Sequence, residues 1–249
     1  MGTRARGAAA AVLLLSTAVA LSGCSLLADA PADDAPSASA PSAGEGAGYA
    51  VLERDAASGE PVRYSSCRPV RYVTHLDGAP AGVDRIVEEA VATVARATGL
   101  TFVDEGPTDE EPTPDRGAQL ARYGDDAWAP VLIAWTDDTT IPDLRGDTVG
   151  LAGSQAYTDS AGRSAYVSGD VVLDGPDLSD ILTERTGRAQ VRSVVVHELG
   201  HLVGLDHVDD PTQLMDAEDD PDVVEPAAGD FAGLAAMGEG PCVEDLATP

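Results

Sequence analysis

Lysine is absent from the 249 residues: all 15 basic side chains are arginine, set against 43 aspartates and glutamates, for a formal charge of −28. Such a surface repels phosphate backbones and anionic headgroups, which argues against nucleic acid as a partner. The surplus acid itself reads as a means of staying soluble. Long apolar runs are also scarce: residues 8–21 form the longest, and it is too short to span a bilayer comfortably. No internal repeat is present, and the length suits one domain of ordinary size once a leader and a tether are set aside. Histidine and cysteine are rare, with four and three residues, so where they stand is informative.

Arg4 and Arg6 precede the apolar run, the order of an export signal. Two cleavage sites compete. Ala18-Val19-Ala20 suits general signal peptidase, whereas Leu21-Ser22-Gly23-Cys24 resembles the lipobox of bacterial lipoproteins, and the lipobox is the preferred reading. That resemblance implies lipid on Cys24, a signal peptide over 1–23 and a domain anchored to the outer face of the cell membrane; the first site would give a secreted protein instead. Loss of residues 1–23 leaves 13 basic against 43 acidic side chains, a balance of −30. Residues 25–48 are almost entirely Ala, Pro, Ser, Gly and Asp, which cannot bury enough apolar surface to order themselves. They form a predicted tether reaching on the order of 30 Å.

With Cys24 lipidated, Cys67 and Cys242 remain near the two ends of the folded region, 49–249 with its core about 63–243. Domain termini often lie close together, and an oxidising exterior would let the two pair. The alternatives are two buried thiols, or a Cys67 that binds a metal and holds the protein latent. Between these cysteines the chain reads as alternating elements. Residues 49–52 and 61–64 are short β-like runs around Ala57-Ser58-Gly59, a predicted hairpin. A strand begins at Val70-Arg71-Tyr72-Val73; a helix over 82–98 puts Ile86, Ala90, Val94 and Ala97 on one side, with Gly99 to stop it. A strand at 101–103 and an acid- and proline-rich surface loop over 104–128 follow. Residues 131–135 have the continuous apolar character of a strand buried on both faces. Residues 148–157 are β-like but weakened by two glycines, 166–173 complete a sheet, and a loop leads to a helix starting near Arg188.

That helix carries Val195-Val196-His197-Glu198-Leu199-Gly200-His201-Leu202-Val203-Gly204-Leu205-Asp206-His207. At 3.6 residues per turn His197 and His201 stand one above the other, so two imidazoles can reach one metal ion. Glu198 sits about 100° round the helix, placed to meet a metal-bound water without becoming a ligand. Val191, Val195, Leu199 and Leu202 give the opposite side an apolar stripe. Gly204 permits the left-handed turn that ends the helix and lets His207 return as third ligand, leaving a fourth position for water, as catalytic zinc requires.

Met215 follows in Pro211-Thr212-Gln213-Leu214-Met215, and at this point the chain resembles the metzincin metalloproteases, most closely the matrixins, whose zinc motif is followed by a methionine turn beneath the metal. The resemblance implies an α+β fold: a twisted mixed sheet with an antiparallel edge strand, an active-site helix and a C-terminal helix over 229–238. It implies one catalytic zinc on His197, His201 and His207, Glu198 as general base, and peptide substrates that pair with the edge strand at 148–157. A monomer is expected. The matrixin latency motif Pro-Arg-Cys-Gly is missing around Cys67, and Val208, Asp216 and Ala217 replace the usual Ser and Tyr-Pro, which puts the specificity pocket in doubt. Only His75 remains for a second, structural zinc, so none is expected. Calcium, if bound, would fall to Asp170, Asp174 or Asp177, which otherwise are merely solvated. Asp216, Glu218, Asp219, Asp220 and Asp222 crowd the segment past the methionine, where they either read a cationic substrate residue or face solvent. Two rivals use the same residues: a lipid-anchored binding module without catalysis, and a hydrolase of some non-peptide amide.

Overall fold

The computed structural model describes residues 48–218, 220–243 and 246. The expected signal peptide, Cys24, the tether up to residue 47 and Asp219 lie outside the described residues. Among the described residues no helix is long and apolar enough to cross a membrane.

Five strands make the main sheet. In spatial order they are β3 (Phe102–Pro107), β2 (Val70–His75), β4 (Val131–Thr136), β6 (Ser164–Asp174) and β5 (Gly150–Thr158). The first four run parallel and β5 runs antiparallel along the edge, so the expected mixed α+β sheet with its antiparallel edge strand is present. Period-two alternation divides β4 between two cores. Val131, Ile133 and Trp135 join the main core, which α1 (Val83–Thr98) and α3 (Gly187–Val203) help to build, while Leu132 and Ala134 pack with Val73 under Tyr123.

The covering of that second face corrects the expectation of a plain surface loop over 104–128. β3 extends to Pro107, and the loop beyond it is pinned to the back of the sheet by a buried ion pair. Arg116 spans both oxygens of Glu110 at 2.6 and 3.3 Å, and its remaining N–H groups donate to Ser168 Oγ and to the carbonyls of Gly169 and Pro130. A buried guanidinium is tolerated only when every donor is matched in this way.

α1 ends, as expected, at Gly99 in the left-handed region (φ 73°); it packs on α3 and on α4 (Ala228–Gly238). A helix absent from the sequence reading, α2 (Gly175–Leu182), links β6 to α3. Asp174 caps it by accepting the Asp177 N–H at 3.0 Å, with proline in the first turn. Calcium is not supported at the three aspartates: Asp174 is engaged as this cap, Asp170 bonds Gln155 near Arg116, and the three carboxylates form no metal-sized group among the described residues. The N-terminal hairpin is half present. Arg54 bridges Pro61 around the turn, but Ala50–Val51 (β1) pairs instead with Leu205–Asp206 (β7). Cys67 and Cys242 form a disulfide with Cα atoms 5.0 Å apart, joining the start of β2 to the chain after α4.

Candidate metal centre

α3 is a core helix on almost every side, and its lower half positions the site. Val191, Val195, Leu199 and Leu202 are wholly buried; burial of each contributes about 1.5–3 kcal/mol. This fixes the helix in rotation, so that His197 and His201 emerge together. Gly204 takes φ 113° and its N–H caps the carbonyls of Gly200 and His201. The chain turns back through β7, where pairing with β1 holds it, and delivers His207 to the same point.

The three Nε2 atoms converge. His197 and His201 are 3.0 Å apart, His201 and His207 3.1 Å, and His197 and His207 3.2 Å. Nitrogens at the usual zinc distance of about 2.0–2.1 Å and tetrahedral angles would stand about 3.3 Å apart, so the set fits zinc. The outer nitrogens fix the tautomers. Nδ1–H of His197 donates to the Leu214 carbonyl at 2.7 Å and Nδ1–H of His201 to the Leu205 carbonyl at 2.8 Å; a carbonyl only accepts, so each Nε2 is left with its lone pair inward. Burial pushes the pKa of both rings down to about 4, which keeps them neutral and able to ligate at neutral pH. Glu198 is buried but not part of this convergent set. Its carboxylate lies against the edge strand, so closely that a Cβ on Gly150 would fall 2.6 Å from Oε1. Histidines, glutamate and strand edge together line a cleft of about 410 Å³.

Met215 is buried against α3, and the glycine of the motif makes room for it: a Cβ on Gly200 would lie 2.6 Å from Met215 Sδ. The turn is zipped to the third ligand's segment, since Val208 N–H donates to the Met215 carbonyl and Ala217 N–H to that of Val208. Asp216 is buried within this turn, accepting from Asp210 N–H, and does not face solvent.

Two supports were not read from the sequence. Asp230 on α4 is buried and accepts from the backbone N–H groups of Leu214, Met215 and Ala227 at 2.8, 3.1 and 2.7 Å. The only signal for it was an acid in the first turn of the last helix, which reads as an ordinary cap. Asp230→Ala strands these donors in the interior and should cost about 3 kcal/mol or more, measured by denaturant unfolding of the metal-free protein. A loss near zero would show that the methionine turn holds itself. The second support is the N-terminal segment: Gln213 Nε2 donates to the Gly48 carbonyl at 2.8 Å and Leu52 N–H to that of Gly204 at 3.0 Å.

His75, the fourth histidine, stands apart from the triad, buried at the end of β2 with exposed Asp77 and Glu111 beside it and one ligand atom from each within 4.8 Å of the others. Sequence reasoning missed this grouping because Glu111 comes from the loop beyond β3.

The matrixin family model matches residues 132–235, the segment that contains β4 through most of α4. No curated protein matches the chain. Among solved structures, archaemetzincin from Methanopyrus kandleri is similar at 17% identity and a TM-score of 0.38, covering 62% of this chain and 83% of that one. The segment that resembles the matrixins, less than half of the chain, carries all three converging histidines, Glu198 and the methionine turn.

Proposed function

We propose that the protein is a zinc-dependent endopeptidase held at the outer face of the cell membrane by lipid on Cys24, with Glu198 as its general base. The observation that carries the chemistry is the single cleft lined by the three converging histidines, Glu198 and the edge strand β5, with the Glu198 carboxylate against Gly150. His197, His201 and His207 would hold the metal, which when bound supplies Lewis acidity toward water and a substrate carbonyl.

The protein's own residues do the rest. Among the described residues β5 pairs with β6 on one side only, so its outer edge can take an extended peptide as an added strand, laying the scissile bond beside Glu198. Glu198 Oε1, seated against Gly150, accepts the proton of the attacking water and returns it to the departing amine nitrogen. Burial on α3 keeps this carboxylate in place through both transfers.

A soluble form beginning at residue 25, incubated with a peptide library, should cut internal bonds, stop when zinc is chelated and recover when zinc is restored. Cleavage that survives chelation would refute the reading. The anchoring part has its own test: Cys24→Ala should release the protein into the medium or stall its processing, and a variant still retained by the membrane would count against lipid on that residue.

A further inference from the structure

His75 ends β2 at a point where the sheet reverses its winding. From β2 the chain passes through α1 to β3 on one side, while the next strand, β4, lies on the other, so the carboxyl ends of β2 and β4 border a crevice of the kind that takes ligands in open sheets. His75 stands in register with Ala134 of β4 and is only 3% exposed. Its ring is unmatched there. Nδ1 has no hydrogen-bond partner among the described residues, and Nε2 stands 3.6 Å from Glu111 Oε2, beyond hydrogen-bonding reach. Such an imidazole is costly to bury, because either tautomer strands both an N–H and a lone pair.

Two carboxylates share this crevice with the ring. Asp77, in the turn after β2, and Glu111, in the loop beyond β3, each bring an oxygen to a point where the three ligand atoms lie within 4.8 Å of one another. Both side chains are exposed, and neither pairs with an arginine among the described residues. Their backbones are held in place. Thr108 N–H donates to the Thr74 carbonyl at 2.9 Å, and Glu110, the neighbour of Glu111, is locked to Arg116, so the loop crosses the end of β2 at a fixed position. On the other side Gly78 lies so close to α2 that a Cβ on Gly175 would fall 2.7 Å from its carbonyl oxygen. All three residues precede residue 132, where the resemblance to matrixins begins.

We infer that His75, Asp77 and Glu111 bind a second divalent transition-metal ion, zinc by preference, which ties the loop beyond β3 to the turn after β2. The ion takes up the stranded lone pair and balances the two carboxylates, and rotation of these two exposed side chains closes the set around it. An imidazole with two carboxylates suits zinc, whereas calcium and magnesium favour oxygen ligands alone. The scarcity of histidine argues against a second zinc only while carboxylates are left out of the ligand set. The inference stands apart from the peptidase reading.

A form beginning at residue 25 should hold two zinc ions per chain at saturation, counted by native mass spectrometry. Asp77→Asn with Glu111→Gln should hold one fewer: loss of a supporting partner alone weakens zinc sites by about 10–100-fold, so loss of two direct ligands should weaken this one by more than about 100-fold. Zinc added beyond the first equivalent should raise the melting temperature of the parent and not of this variant. Glu60→Gln with Glu239→Gln removes the same charge from exposed positions elsewhere and should keep the second ion. Excess calcium should not displace it. An equal count in the parent and the first variant, the same loss in the control, or displacement of the second zinc by calcium would each overturn the inference. A parent with one ion and a first variant with none would uphold this site and overturn zinc binding at the three converging histidines instead.

Discussion

Glu198→Gln should leave zinc content and melting temperature almost unchanged while lowering kcat/KM by on the order of 10³–10⁴, the scale of a lost general base. Glutamine keeps the shape and the seat against Gly150 but has no carboxylate to take a proton. Because Glu198 is not among the converging ligands, metal content should stay near one ion per chain. The pairing of results matters: a drop in activity with a drop in zinc would mean that the residue holds the site together, and an unchanged rate of peptide cleavage would remove the proposed mechanism.

The largest effect on stability is expected from the disulfide. Cys67 and Cys242 are separated by 175 residues, so their bond closes most of the domain into one loop. In the chain-entropy account a loop of this size stabilises by about 5 kcal/mol, less where the unfolded chain keeps structure. Replacing both cysteines by serine should therefore lower the denaturation midpoint sharply, and reductant should have the same effect on the parent protein but none on the variant. Intact mass without reductant should show no free thiol in a form beginning at residue 25. Two alkylatable cysteines, or a midpoint indifferent to reductant, would contradict this.

Much of the site was legible because its spacing is local. His197, Glu198 and His201 lie within one helical turn and a bit, Gly204 marks the helix end by its need for positive φ, and His207 and Met215 follow within eleven residues of it. β4 was legible for a similar reason, since five apolar residues in a row leave few other placements. What escaped depends on pairs far apart in the chain or on residues with two plausible uses. Gly175 and Pro176 read as loop, yet proline in a first turn behind a capping aspartate is equally a helix start, and α2 begins there. Glu110 and Arg116 sit in a stretch whose acids and prolines suggest solvent, and only the fold shows that they close over the back of β4 and β6. Asp216 and Glu218 look alike in sequence; a backbone turn buries the first and leaves the second exposed. β1 illustrates the limit most directly, because its partner β7 lies over 150 residues away while the nearby 61–64 segment seemed the natural one.

That pairing gives the domain a narrow margin for trimming from its N-terminal side. Gly48 accepts a hydrogen bond from Gln213, two residues from the methionine, and Ala50 and Val51 brace the two residues that precede His207. A cut after Val51 would shed the strand that steadies the third ligand and the Gln213 contact with it.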